Sequence, residues 1–287
     1  MDKKFIFLTI ALLITAAVIF LAYQSQSLKR AYKREVLRGL NRTLRIPGEI
    51  LTEDDIRHLP EPVQKYIKYV GALGKEKVYS VRAVCEGQVR MDPNGDWVDM
   101  HSEQYNFFDE ELTRMFYMSA TMKGIPGLGL HSYTEETANM HIKLLGLITV
   151  LNTSGPEMRI GDTTTLFNDI CFFAPAALID RRISWEPVDA TTVKGTLNTG
   201  TCKVSATLYF NDTGELVDFV SDDRYYIPLD GSCIKAVWST PIKGYKEVNG
   251  MKVPAYGEAV WKLPEGDYCY GKFSNIKEIE YNSNSFK

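Results

Sequence analysis

Residues 153–169, TSGPEMRIGDTTTLFND, gather Ser154, Glu157, Asp162 and Asp169 between the apolar run KLLGLITVL and the pair FF. A serine and three acids so close together could carry acid–base work, with Glu157 and Asp169 as a carboxylate pair. The local pattern points to a helix start instead. Ser154-x-x-Glu157 fits a capping box, in which Ser154 caps the amide of Glu157 and Glu157 returns to the amide of Ser154. Pro156 suits the first turn, where a missing N–H costs nothing. Leu166, Phe167, Ile170, Cys171, Phe172 and Phe173 then form a broad apolar stripe ending near Pro175. The spacing predicts a helix over 154–175, with Ser154 and Glu157 as its structural cap.

Other reactive groups are dispersed. His58, His101, His131 and His141 form no HxxxH or HExxH pair, and no catalytic metal site is expected. The chain has no GxSxG elbow, no GxxxxGK[ST] loop and no GxGxxG after a strand, so no cofactor is expected. The five cysteines, at 85, 171, 202, 233 and 269, are odd in number and lack a CxxC pair; they read as buried thiols, with one disulfide as the alternative. The richest set is aromatic. Tyr105, Trp238, Tyr245 and Trp261, with Arg114, Lys143 and Glu258 as orienting polar groups, form a candidate binding site for an amphiphile. The competing reading is that these rings fill a large β core.

These groups must be positioned by the elements around them. Phe5 to Tyr23 is a 19-residue stretch without charge, long enough to cross a bilayer as a helix. It exceeds the apolar stretch of an ordinary signal peptide and is read as an uncleaved anchor over 5–23, with cleavage after Ser25-Gln26-Ser27 as the alternative. Residues 24–46 repeat Leu28, Tyr32, Val36, Leu40 and Leu44 among seven Lys and Arg and a single acid. That composition describes a basic amphipathic helix suited to an anionic bilayer surface, or a solvated stalk. Pro47-Gly48 marks a linker over 47–51, and 52–281 reads as one domain followed by a polar tail, 282–287.

Within that domain Thr52-Glu53-Asp54-Asp55 marks a helix start and PVQKYIKYVGAL a second short helix. From Val81 the period becomes two, with Asn94-Gly95, Asn198-Thr199-Gly200, Asp212-Thr213-Gly214 and Asn249-Gly250 as hairpin turns. NMHIKLLGLITVL reads as one strand. The fold class is therefore mainly β with few helices. A large curved antiparallel meander, an incomplete barrel, would be plugged by the 154–175 helix. The formal net charge of −3, with basic residues concentrated beside the anchor, argues against nucleic acid.

Several motifs support a resemblance. LPEPVQKYIKYVGALGK (59–75), GLGLHSY (127–133), KLLGLITV (143–150), SGPEM (154–158), RRISWEPVD (181–189) and YGEAVWKLPEGDYCYGKF (256–273) resemble a bacterial membrane-anchored family of unknown function. The element order, and LYFNDTGELVDFVSDDRYY, are more loosely similar to lipoprotein carriers of the LolA and LolB type. That likeness implies an apolar cavity and work outside the cytoplasm. The resulting expectation is a single-pass membrane protein that binds a lipid-like ligand and is not an enzyme. A hydrolase or transferase using carboxylates at the cavity mouth is the alternative, and a structural or assembly protein the third. The cues for sidedness conflict. Basic residues after the anchor favour the cytoplasm, whereas the signal-anchor layout and the carrier likeness favour the extracytoplasmic side adopted here.

Overall fold

The computed structural model describes residues 3–228 and 232–287. Helix α1 (Lys3–Ser25) leads into α2 (Ser27–Thr43), and two short helices follow, α3 (Glu53–Ile56) and α4 (Glu61–Tyr69). Six strands form a first meander: β1 (Ser80–Val89), β2 (Val98–Phe107), β3 (Thr113–Met122), β4 (Ile125–Thr134), β5 (Ala138–Leu144) and β6 (Ile148–Ser154). Helix α5 (Pro156–Phe173) and a 3-10 turn (Pro175–Ile179) lead to β7 (Ile183–Pro187), β8 (Thr192–Asn198), β9 (Lys203–Phe210) and β10 (Leu216–Ser221). The short pair β11 (Tyr225–Tyr226) and β12 (Ile234–Lys235) precedes β13 (Val237–Ser239), β14 (Ile242–Val248), β15 (Met251–Leu263) and β16 (Gly266–Tyr281).

The large sheet is antiparallel in the order β6-β5-β4-β3-β2-β1-β16-β15-β13-β10-β9-β8-β7, with β14 also paired to β15. Its edges, β6 and β7, flank α5 in sequence, so the chain leaves one edge, runs through the helix and re-enters at the other. The sheet stays unclosed and curls around α5. Inner and outer faces follow from the period of two. Gln104, Asn106 and Arg114 point inward to α5. Tyr105, Phe107 and Met115 point outward to α2.

The stripe Leu28, Tyr32, Val36 and Leu40 is buried in this outer layer. The apolar side of 24–46 is therefore a sheet-packing face and not a membrane-lying one; Tyr105, Phe107, Met115 and Leu130 give it a better-matched partner than lipid. Gly39 lets the helix approach, because a Cβ there would overlap the Phe107 ring. Arg42 fixes the helix end with an ion pair to Asp109, 2.8 Å. The polar tail is docked too. Phe286 stacks on Tyr105 and meets Tyr32 edge-on, and the Lys287 amide donates to Tyr105 Oη.

Two local expectations are corrected. NMHIKLLGLITVL is a hairpin, β5–β6, whose turn uses Leu145 and Gly146 at φ 54° and 69°. Asn-Gly would have signalled that turn; Leu-Gly does not. The α5 start is not a capping box either. Ser154 is the last residue of β6, paired with Asn139, and Gly155 at φ 136° occupies the N-cap with no side-chain cap bond. The strand claims Ser154, so its hydroxyl does not cap the helix. The reciprocal arrangement occurs instead at α3, where Thr52 N–H and Oγ both donate to Asp55. The Thr163-Thr164-Thr165 run is helical, and each hydroxyl is satisfied within the helix by donating to the carbonyl four residues back, on Arg159, Ile160 and Gly161.

Candidate functional site

Helix α5 is buried from Gly161 to Phe173, and its polar residues find partners on the inner face. Asp169 Oδ2 accepts from Arg114 Nε at 2.7 Å, Gln104 Nε2 at 2.9 Å and Asn106 Nδ2 at 3.1 Å. Asp162 lies 2.7 Å from His131 Nε2, and Asn168 donates to Thr240. Asp169 is thus matched to a basic group, as burial of charge requires, whereas the Asp162–His131 approach lacks hydrogen-bond geometry. Glu157 is exposed at the helix start, about 18 Å along the axis from Asp169. The two carboxylates do not form an acid–base pair. Nor is there a thiolate at this interface. Burial pushes the Cys85 thiol up to about 12, helped by the Asp169 charge, and holds Cys171 well above the ordinary range. All five cysteines are free; Cys85 and Cys171 are buried, whereas Cys202 and Cys269 are half-buried and Cys233 is exposed, so the buried-thiol reading holds at two positions.

The seven residues proposed from sequence do not converge. Tyr105 is fully buried on the outer face beneath α2, and Lys143, also outward, donates to Ser27 Oγ. Tyr245 donates to the Leu216 carbonyl and packs on Tyr66 and Tyr69. Glu258 accepts from Tyr256 Oη at 2.6 Å. Trp238 and Trp261 are buried cross-strand neighbours, with the Arg224 guanidinium over both rings. They fill the core, as their bulk alone would suggest. Arg114 is the member that reaches a site.

That site is formed by residues the aromatic count overlooked. Cross-strand partners share a face, so the register defines rows running down the inner side of β2–β6. The first is Asn106, Arg114, Tyr133 and Ala138, covered by α5 and buried. The second is Gln104, Phe116, His131, Met140 and Thr153; the third is Ser102, Met118, Gly129, Ile142 and Leu151; the fourth is Met100, Ala120, Gly127, Leu144 and Ile148. Met122 and Ile125 end the series. Exposure rises along the rows, from buried at Arg114 through half-buried at Phe116, Met118 and Ile142 to 59% at Ile148.

The rows from Phe116 to Met122 are separated by three two-residue steps, about 20 Å in total. This is an open apolar trough with a polar head. Met118 lies across Gly129, where a Cβ would overlap its side chain. At the head, Arg114 Nη1, Asn106 Oδ1, His131 Nε2 and both Asp162 carboxylate oxygens are buried without hydrogen-bond partners. A concavity of about 1450 Å³ shares Met100, Ala120, Gly127 and Met122 with the outer end of the trough and continues to the other face through Glu86, Gln88, Asp99, His101, Ser119 and Thr121. Its lining mixes polar and apolar groups, whereas the β2–β6 rows beyond Phe116 are mostly apolar, so the trough is the candidate for an apolar ligand. The signal for it was present in the sequence, as the alternation of Phe116, Met118, Ala120 and Met122 beside two inward glycines.

Residues 49–273 match the family of unknown function DUF6544, and the chain belongs to that family. Curated protein sequences give no match. Among solved structures, the chain is similar to a domain named for outer membrane lipoprotein sorting from Vibrio parahaemolyticus, at 9% identity and a TM-score of 0.43, covering 79% of this chain and 93% of that one. A DUF1329 family protein from Desulfovibrio piger gives 9% identity and 0.42, over 77% and 91%. A LolA superfamily protein from Nitrosomonas europaea gives 9% identity and 0.35, over the same shares.

Proposed function

We propose that this member of DUF6544 is a membrane-tethered binding module that holds a lipid-like or other apolar ligand in the β2–β6 trough. The observation that carries the reading is the graded inner face, polar and buried at Arg114 and apolar and open at Ile148. An amphiphile fits that gradient with its chain along Met118, Ile142 and Leu151 and its polar end toward Arg114 and Asp162. Methionines at 100, 118, 122 and 140 supply a flexible, polarisable lining that adapts to chains of different shape. The tether is α1, an apolar helix with none of its residues buried, long enough to cross a bilayer.

The test is titration of the detergent-solubilised full chain with cis-parinaric acid, together with mass spectrometry of co-purified lipid. Saturable probe binding is expected, with Met118→Asp and Ile142→Asp each lowering affinity at least tenfold while the melting temperature holds. No saturable binding by the wild type, or unchanged binding by both variants, overturns the reading. We place the domain outside the cytoplasm, in keeping with the signal-anchor layout of the N-terminus. Asn284→Cys, in a background lacking Cys202, Cys233 and Cys269, should then react with an impermeant maleimide in intact cells. Reaction only after lysis would put the domain in the cytoplasm.

A further inference from the structure

The trough opens at the β5–β6 hairpin, and that hairpin carries features its folding does not require. Leu145, Leu147, Ile148, Val150 and Leu151 are all exposed, the first four by 37–59%. Leu145 sits at φ 54°, a left-handed conformation that Asn or Gly adopts readily and leucine rarely does. An apolar side chain is therefore held at a turn tip where solvent would favour a polar one.

The position of the tip supplies the reason. Gly146 lies against the backbone of Ser25, the last residue of α1, so closely that a Cβ would collide with it. Tyr23 and Arg30 stack at the same level, with the guanidinium 3.6 Å from the ring centroid. Tyr and Arg at the end of an apolar helix are characteristic of a membrane–water boundary. The neighbouring β3–β4 tip exposes Met122 and Ile125 around Lys123. Within β3–β6 charge follows the same axis, although the β1–β2 turn at the tip end carries Asp92 and Asp96. Residues 112–134 and 137–156 contain no Asp or Glu, whereas the turns at the far end of these strands hold Asp109, Glu110, Glu111, Glu135 and Glu136. The β3–β4 and β5–β6 tips are themselves apolar and acid-free, which suits a lipid surface.

We propose that the β5–β6 tip, Leu145 to Leu151, seats in the bilayer surface beside α1, so that the trough opens directly onto lipid. The inference rests on the reading of α1 as a membrane span. The occupant is the bilayer; a protein partner at the tip would leave the hairpin out of lipid and is an outcome of the test.

Spin labels are placed on single accessible cysteines of the full chain, in a background lacking Cys202, Cys233 and Cys269, reconstituted in nanodiscs containing phosphatidylglycerol. The sites are Leu147→Cys, Ile148→Cys, Glu136→Cys at the opposite end of β5, and Ile14→Cys in α1. Collision with oxygen relative to a water-soluble nickel chelate should be several-fold higher at 147 and 148 than at 136, and high at 14. Water-like ratios at both 147 and 148 with a lipid-like ratio at 14 overturn the hairpin proposal and leave the anchor standing. A water-like ratio at 14 removes the anchor, and the hairpin proposal with it. The labelled tip residues are already exposed, so the fold tolerates the substitutions, and a second tip site guards against a purely local effect.

Discussion

One helix faces two wings of the same sheet, and the wings are finished differently. Toward β7–β10 and β13, α5 presents Phe167 to Phe219 and Trp185, and Phe219 meets Trp238 edge-on. Phe167 and Phe219 are fully buried. Toward β2–β6 the same helix covers the first row and reaches Gln104 and His131 of the second, and Phe116, Met118, Ile142 and Leu151 stay partly in solvent. The filled wing uses rigid rings that interlock; the open wing uses flexible side chains and glycines. Leaving apolar surface open costs hydrophobic stabilisation of about 25 cal/mol per Å², so a large open face points to an occupant rather than to folding alone.

The largest contrast should come from truncation. Phe167→Ala removes a fully buried ring and should cost about 3–5 kcal/mol in urea denaturation. Met118→Ala, at a half-buried site with no closed cavity to leave behind, should cost no more than about 1 kcal/mol. Equal costs would mean that the open wing is packed in solution and that the trough does not exist.

A similar magnitude is expected where the wings meet. Asp169→Ala leaves Arg114 buried beside Gln104 and Asn106 without their shared acceptor, at a cost of about 3–5 kcal/mol. The double variant Asp169→Leu/Arg114→Leu removes both charges and should recover much of that loss. If the double variant is as unstable as the single, the pair is not what holds α5 against β2 and β3.

Glycines give a smaller, mirrored test. In the filled wing a Cβ at Gly195 would meet the rings of Phe167 and Trp185 at 2.7 and 2.8 Å. Gly195→Ala should therefore cost about 1–3 kcal/mol as overpacking. In the open wing a Cβ at Gly129 meets Met118 at its methyl (2.6 Å) and Cγ (2.9 Å), a flexible half-exposed side chain that can change rotamer. Gly129→Ala should cost under about 1 kcal/mol in stability and still weaken cis-parinaric acid binding, because it narrows the trough.

The filled wing is what a sequence announces. A helix with Phe167, Phe172 and Phe173 between two strand-rich halves identifies a plugged, curled sheet, and the period of two gives most strands. The trough was harder to see, because Met118 and Ile142 belong to strands whose inward face becomes apparent only once pairing is known. Aromatic count drew attention to Trp238 and Trp261, which have the bulk to fill a core and do so. Tyr105 and Lys143 look inward until register assigns them to the α2 face. The β5–β6 turn was invisible for a different reason: Leu145 occupies a conformation that turn chemistry assigns to Asn or Gly.

The smallest effect separates two neighbouring residues at the entry to α5. Gly155 adopts φ 136° and ψ 179°, a region open essentially to glycine, and this bend turns the edge of the open wing into the helix. Gly155→Ala should cost about 1–3 kcal/mol. Ser154, one residue earlier, is exposed, ends β6 and makes no cap bond, so Ser154→Ala should stay within about 0.5 kcal/mol of the wild type in the same denaturation assay. A capping serine would instead lose about 1 kcal/mol. A loss of that size would show that α5 frays back to Ser154 in solution. The boundary between the wings would then be set by a hydroxyl cap and not by the glycine bend.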